Sequence, residues 1–250
     1  MSEKVEFDNS HGRKLVGDFY PASSGEAVIM CHGFTGDRHE WGKFDKIAEA
    51  FNETGFNVLN FDFSGSGESE NEAISVEKEI YDLKSAIKFM NGKGLFKIGL
   101  FGGSLGGLIC LCNSENVGAI VLTAPVTNKK DNYQEERLTS KGFSQLENGN
   151  FLYKYGREEE VFRRKIVVDK KFIEERENLN QEELLKNVKC PVFIVHGTED
   201  ADIPLQDSEN AINHLNEDSR LYVIKGADHD FKNQTDEIAD LAMDFFKKHL

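Results

Sequence analysis

No stretch of the chain approaches the ~18 consecutive apolar residues that a bilayer-spanning helix requires, so membrane insertion is not expected. Basic residues are also short: 30 Lys and Arg stand against 44 Asp and Glu, for a net charge of −14. Nucleic acid needs a basic face for its phosphates, and anionic membranes need a polybasic one, so neither is an expected partner. The four cysteines form no spaced framework for disulfides, and Cys31, Cys110, Cys112 and Cys190 are read as buried thiols. No H-E-x-x-H or comparable ligand spacing points to a metal, and Ser64-Gly-Ser-Gly67 is neither a dinucleotide fingerprint nor a P-loop. No metal and no organic cofactor is therefore expected. The first residues, Met-Ser-Glu-Lys-Val-Glu-Phe-Asp, lack a basic region followed by an apolar one, so a cytoplasmic location follows by default.

What is present is concentrated in a few short segments. Lys97-Ile-Gly-Leu-Phe-Gly-Gly-Ser104-Leu-Gly-Gly-Leu-Ile109 reads as an apolar strand, a sharp glycine turn carrying one serine, and the start of a helix. This is the context of the G-x-S-x-G nucleophile elbow, filled by Gly102, Ser104 and Gly106. Strand and helix come close at such a turn, and glycine removes the Cβ atoms that would clash. An unaided serine is a weak nucleophile, so a base and an orienting acid must lie downstream. Two polar clusters follow strand-like runs there, His196-Gly-Thr-Glu-Asp200-Ala-Asp-Ile-Pro204 and Gly226-Ala-Asp-His229. His229 is the candidate base, and the acid is sought among Glu199, Asp200 and Asp202. Near the N-terminus, the buried-strand pattern Ala27-Val-Ile-Met-Cys31 leads into His32-Gly33-Phe34-Thr35-Gly36. Acyl transfer builds negative charge on a carbonyl oxygen, and backbone N–H groups can stabilise it. Leu105, directly after the serine, and Phe34 are the candidate donors, with His32 and Gly33 in support.

The chain resembles α/β-hydrolase-fold serine hydrolases and is similar to compact bacterial and archaeal carboxylesterases, among them the cinnamoyl (feruloyl) esterases. The segments that carry the likeness are His32-Gly-Phe-Thr-Gly36, Asn60-Phe-Asp-Phe-Ser-Gly-Ser-Gly-Glu-Ser69, Gly102-Gly-Ser-Leu-Gly106, His196-Gly-Thr-Glu-Asp200 and Gly226-Ala-Asp-His229. One departure is Gly103, where relatives often carry histidine or another polar residue. The resemblance implies a Ser104–His229–Asp200 triad, the acid falling four residues after His196 and four before Pro204. It also implies a small-molecule ester substrate of short or medium acyl or aromatic type. Monoacylglycerol, thioester and peptide substrates stay open, and so does a non-catalytic binding role. The protein is expected as a monomer or homodimer.

Alternating strand and helix patterns predict an α/β fold, with a mainly parallel twisted sheet of about eight strands and helices on both faces. Val5-Glu-Phe and Lys14 to Tyr20 read as an antiparallel hairpin ahead of the parallel part. Phe44, Ile47, Ala48 and Phe51 mark one helix, and Ile80, Leu83, Ile87 and Met90 another. Residues 1–125 and 188–250 are assigned to the core and 126–187 to a cap. That middle segment is rich in charge but seeded with Phe143, Phe151, Tyr153, Tyr155, Phe162 and Phe172, unlike a linker. Its basic cluster Arg163-Arg164-Lys165 is read as solvated surface.

Overall fold

The computed structural model describes residues 1–154 and 165–250. Tyr155, Phe162, Arg163 and Arg164, singled out above, lie outside the described residues. The chain opens with β1 (Glu3–Asp8), β2 (Lys14–Tyr20) and β3 (Glu26–Cys31), followed by α1 (Lys43–Glu53), β4 (Asn57–Asp62) and α2 (Val76–Gly92). Next come β5 (Lys97–Gly103), α3 (Leu105–Cys112) and β6 (Ala119–Thr123). Residues 126–187 contribute α4 (Tyr133–Ser140), β7 (Phe143–Gln145), β8 (Phe151–Lys154), β9 (Lys165–Val168), α5 (Lys170–Glu177) and α6 (Gln181–Leu185). The chain then returns with β10 (Val192–Gly197), α7 (Leu205–Ala211), β11 (Arg220–Ile224) and α8 (Thr235–His249).

Eight strands form one sheet in the order β1-β2-β4-β3-β5-β6-β10-β11. β1–β2 and β2–β4 pair antiparallel, and every other pairing is parallel. The expected hairpin is thus β1–β2, in register Val5↔Gly17. Parallel strands covered on both faces alternate between two cores rather than between core and water. Ala27, Ile29 and Cys31 of β3 join the core shared with α2 and α3, whereas Val28 and Met30 face α1 and α8. In β10, Val192 and Ile194 take the first side, and Phe193 and Val195 the second. The helix spacing read from Phe44, Ile47, Ala48 and Phe51 is the buried face of α1. No helix among the described residues is long and apolar enough to cross a membrane.

Residues 126–187 carry a separate three-stranded antiparallel sheet, β7-β8-β9. It is stitched to the segment before α2 by two backbone bonds, Ile74 N–H to Val167 O at 2.9 Å and Asp169 N–H to Ile74 O at 2.9 Å. Phe143, Phe151 and Phe172 are buried and continuous with the core that packs α2 and α3.

Sheet and helices meet most tightly at the turn from β5 into α3. A Cβ at Gly106 would sit 2.1 Å from the Cys31 carbonyl oxygen and 2.5 Å from that of His32, and one at Gly102 would sit 2.6 Å from Gly106 O. These neighbours are backbone and cannot swing aside. Gly106→Ala is therefore expected to cost at least the ~1–3 kcal/mol usual for overpacking, read as a lowered urea midpoint at unchanged slope. Gly103 is roomier: its Cβ would meet Thr123 Oγ1 at 3.2 Å and Phe44 Cζ at 3.6 Å. Both neighbours are side chains, so a Cβ fits there once Thr123 gives slightly.

Candidate active site

Ser104 occupies the turn between β5 and α3 with φ 51° and ψ −115°. A non-glycine residue at such angles is strained by about 1–3 kcal/mol. The surrounding backbone holds it there: Ser104 N–H donates to Thr123 O at 2.9 Å, and Val126 N–H donates to Ser104 O at 2.9 Å. The side chain is thereby lifted clear of the C-terminal edge of the sheet, where parallel α/β folds place ligand sites.

His229 comes from the loop after β11, and its Nε2 lies 3.1 Å from Ser104 Oγ. On the ring's other side, Nδ1 lies 2.7 Å from Asp200 Oδ2. Asp200 follows β10, the parallel neighbour of β11, so the pairing His196↔Val223 brings the two loops side by side. A carboxylate can only accept, so Nδ1 carries the ring proton and Nε2 is left free to accept from the serine hydroxyl. The Asp202 carboxylate stands outside this relay, its Oδ1 3.1 Å from Lys141 Nζ.

Asp200 is heavily braced. Its Oδ1 accepts from Asp202 N–H and Ile203 N–H, both at 2.8 Å. His196 Nε2 approaches Oδ2 at 3.2 Å, and both side chains are 0 % exposed. Nε2 also faces Ile203 O at 3.2 Å, so with acceptors on both sides it must bear the proton, and Nδ1 accepts from Ser208 Oγ at 2.7 Å. Burial alone would raise the Asp200 pKa, but hydrogen bonds from His196, His229 and Ile203 N–H outweigh it and hold the carboxyl far below the ordinary value. For His229, burial pulls the imidazole down, while the Asp200 hydrogen bond and charge, helped by Asp202 and Asp230, carry it above 6.5.

The loop after β3 faces the serine from the other side. His32 braces it: Nδ1 lies 2.9 Å from Gly33 O, and Nε2 accepts from Phe63 N–H at 3.2 Å. Gly33 N–H is taken by Glu40 Oε1 at 2.7 Å. Among the described residues the Phe34 N–H has no partner, and Leu105 opens α3, where backbone donors lack intrahelical acceptors. Arg38 anchors the same loop, its N–H and Nη1 on the Asp62 carboxylate and its Nε on Asp18 Oδ2 at 2.6 Å. The other histidines are engaged apart from the site: His39 with Asp45, His11 against Tyr81, His249 against Phe245. His214 ends a 3-10 turn after α7.

Sequence reading missed the roles of Glu40, His196 and the Arg38–Asp62 pair. His196 carried a signal, a histidine ending an apolar strand four residues before the acid. Glu40 gave none, because its burial depends on positive φ at Glu40 and Trp41, which nothing nearby in sequence announces.

An eight-stranded, mostly parallel sheet with a serine at its strand-to-helix elbow defines an α/β hydrolase. Residues 22–236 match the model of the Hydrolase_4 family (serine aminopeptidase, S33), and the chain belongs to that family. Over 136 residues it is 32 % identical to thiohydrolase aneE of Aspergillus aculeatus, a match covering 49 % of this chain but only 41 % of that protein. The α/β hydrolase GrgF from Penicillium sp. sh18 superimposes with a TM-score of 0.80 at 21 % identity, covering 100 % of this chain and 99 % of that one. Est1E from Butyrivibrio proteoclasticus, solved with ferulic acid bound, gives 0.77 at 18 % identity, with 98 % of each chain covered. At these identities the two structures speak for the fold.

Proposed function

We propose that the protein cleaves carboxylic esters of short or medium acyl or aromatic type through an acyl-enzyme on Ser104. The observation that carries this reading is the continuous relay from Ser104 Oγ through His229 to Asp200, 3.1 Å and 2.7 Å long, at a strained elbow. His229 takes the serine proton as Oγ attacks the ester carbonyl and hands it to the departing alcohol; it then activates the water that releases the acid. Asp200 fixes the tautomer and stabilises the imidazolium. The Phe34 and Leu105 N–H groups receive the oxyanion, each such donor contributing about 2.7–4 kcal/mol to the transition state. Residues 126–187 act as a cap, since Tyr133, Arg137, Tyr153 and Phe172 all line a cavity of about 190 Å³ that reaches Ser104. The substrate is a small molecule, and the protein works in the cytoplasm as a monomer or homodimer.

Thioesters are the second reading, favoured by the relative named a thiohydrolase. The test runs p-nitrophenyl esters of graded chain length beside acyl-thioesters, monoacylglycerols and aminoacyl amides, together with fluorophosphonate labelling of Ser104. Oxygen esters of two to eight carbons are expected to give the highest kcat/KM. Amide turnover above ester turnover would overturn the assignment, and absence of labelling would remove the serine hydrolase reading altogether.

A further inference from the structure

The cavity beside Ser104 has an unusual charge balance. Its walls include Leu105 from the elbow and Tyr133, Arg137, Phe172 and Arg176 from residues 126–187. Its other charged residues are neutralised locally: Lys130 by Glu136 at 2.9 Å, Asp202 by Lys141 at 3.1 Å, and Asp230 by Lys232 at 3.4 Å. Among the described residues, neither Arg137 nor Arg176 has a carboxylate within ion-pair distance.

Arg176 is only 3 % exposed, and its Nη1 donates to Asn128 O at 3.2 Å. Burial pulls its guanidinium down from the usual arginine value, though Asp207 nearby offsets part of this. An arginine keeps its charge all the same. Arg137 stacks over Tyr133 at 4.6 Å and Phe34 at 5.3 Å, and its buried Nε lacks a hydrogen-bond partner among the described residues. Two arginines thus share one wall, and burying an uncompensated charge costs several kcal/mol. That cost is offset when an anion enters between them.

The net charge of −14 does not decide against this. Exposed charges farther than the ~8 Å Debye length are largely screened at physiological salt, whereas guanidinium groups inside the cavity are not. The planar guanidinium fork also matches a carboxylate's two oxygens.

We propose that the preferred substrate carries a free carboxylate, seated on Arg137 and Arg176, in addition to the ester bond presented to Ser104. This rests on the ester-hydrolase reading and names its substrate class, the half-ester of a dicarboxylic acid or a carboxylated aromatic ester.

The test compares mono-p-nitrophenyl glutarate with its methyl-capped diester. A second pair carries the carboxylate, free or methylated, on the phenolic leaving group. In one of the two pairs the free acid is expected to have a kcat/KM at least about ten-fold above the capped ester, the scale of a charge-assisted contact. Arg137→Gln and Arg176→Gln should each collapse that ratio toward one, and Arg176→Lys should restore part of it. Should Arg176→Gln fail to fold, Arg137→Gln decides. Calorimetric titration of glutarate into Ser104→Ala gives a readout independent of turnover, with binding expected and lost on adding Arg137→Gln. Ratios at or below one in both pairs, from an enzyme that hydrolyses the capped esters, overturn the carboxylate site and leave the ester reading intact. An enzyme silent on all four esters and unlabelled by fluorophosphonate overturns the ester reading, and the glutarate titration then decides the anion site. Binding of inorganic phosphate without binding of glutarate also overturns it.

Discussion

Replacing Ser104 by alanine is expected to lower ester turnover by a factor on the order of 10⁶ and to abolish fluorophosphonate labelling. On the proposed mechanism the remaining activity is expected from the Phe34 and Leu105 donors and the cavity walls, which need no nucleophile. Fold stability should hardly move, because alanine keeps the strained backbone and loses only a hydroxyl that reaches His229 at 3.1 Å. Ser104→Gly separates strain from chemistry. Glycine tolerates φ 51° without penalty, so about 1–3 kcal/mol of strain is released, and about 0.5–1 kcal/mol of extra unfolded-chain entropy is lost against it. A net gain of about 1 kcal/mol in urea unfolding is expected, with turnover as low as in the alanine variant. A glycine variant less stable than wild type would show that the elbow is held by the serine side chain and not strained by it.

The elbow and the segments that carry Ser104, Asp200 and His229 were legible in the sequence for one reason. Each sits at the end of a short apolar run, where a strand must stop and a loop must begin. Gly102 and Gly106 carry their geometry in their composition, since a Cβ there would sit 2.6 Å and 2.1 Å from backbone carbonyl oxygens. Asp200 could be told from Asp202 by its position in the family pattern. In the structure the two differ in kind, Asp200 buried against two histidines and Asp202 on the surface. Residues 126–187 were less readable. The strands β7, β8 and β9 are three or four residues long, too short for alternation to register. Their anchor, Ile74 against Val168, joins residues far apart along the chain. The aromatics Phe143, Phe151 and Phe172 marked the segment as packed without saying against what. Arg137 and Arg176 were invisible as a pair because their nearness depends on α4 packing against α5.

Asp200→Asn is expected to reduce kcat by about 10⁴-fold, with little change in KM, because the neutral amide no longer dictates that Nδ1 holds the proton. The same substitution should move the acid limb of the kcat/KM profile. In wild type His229 titrates above 6.5, held up by Asp200 against its own burial, and only the neutral ring can accept from Ser104. Activity should therefore fall as pH drops through that raised value. Without Asp200 the downward pull of burial gains, and the limb shifts to lower pH. Stability runs the other way. A raised histidine contributes fully below its unfolded value of 6.5 and less as pH rises through its folded one. A depressed carboxylate contributes above its unfolded value of 3.8 and less as pH falls toward its folded one. The Asp200–His229 pair is thus most stabilising between those two unfolded values, on the acid side of the turnover limb. The enzyme is expected to work where its own relay has begun to surrender that stability, and Asp200→Asn should flatten the pH dependence of the urea midpoint on either side of that interval, above 6.5 and below 3.8. An acid limb that stays in place in Asp200→Asn would mean that Asp202 and Asp230, not Asp200, set the histidine's charge.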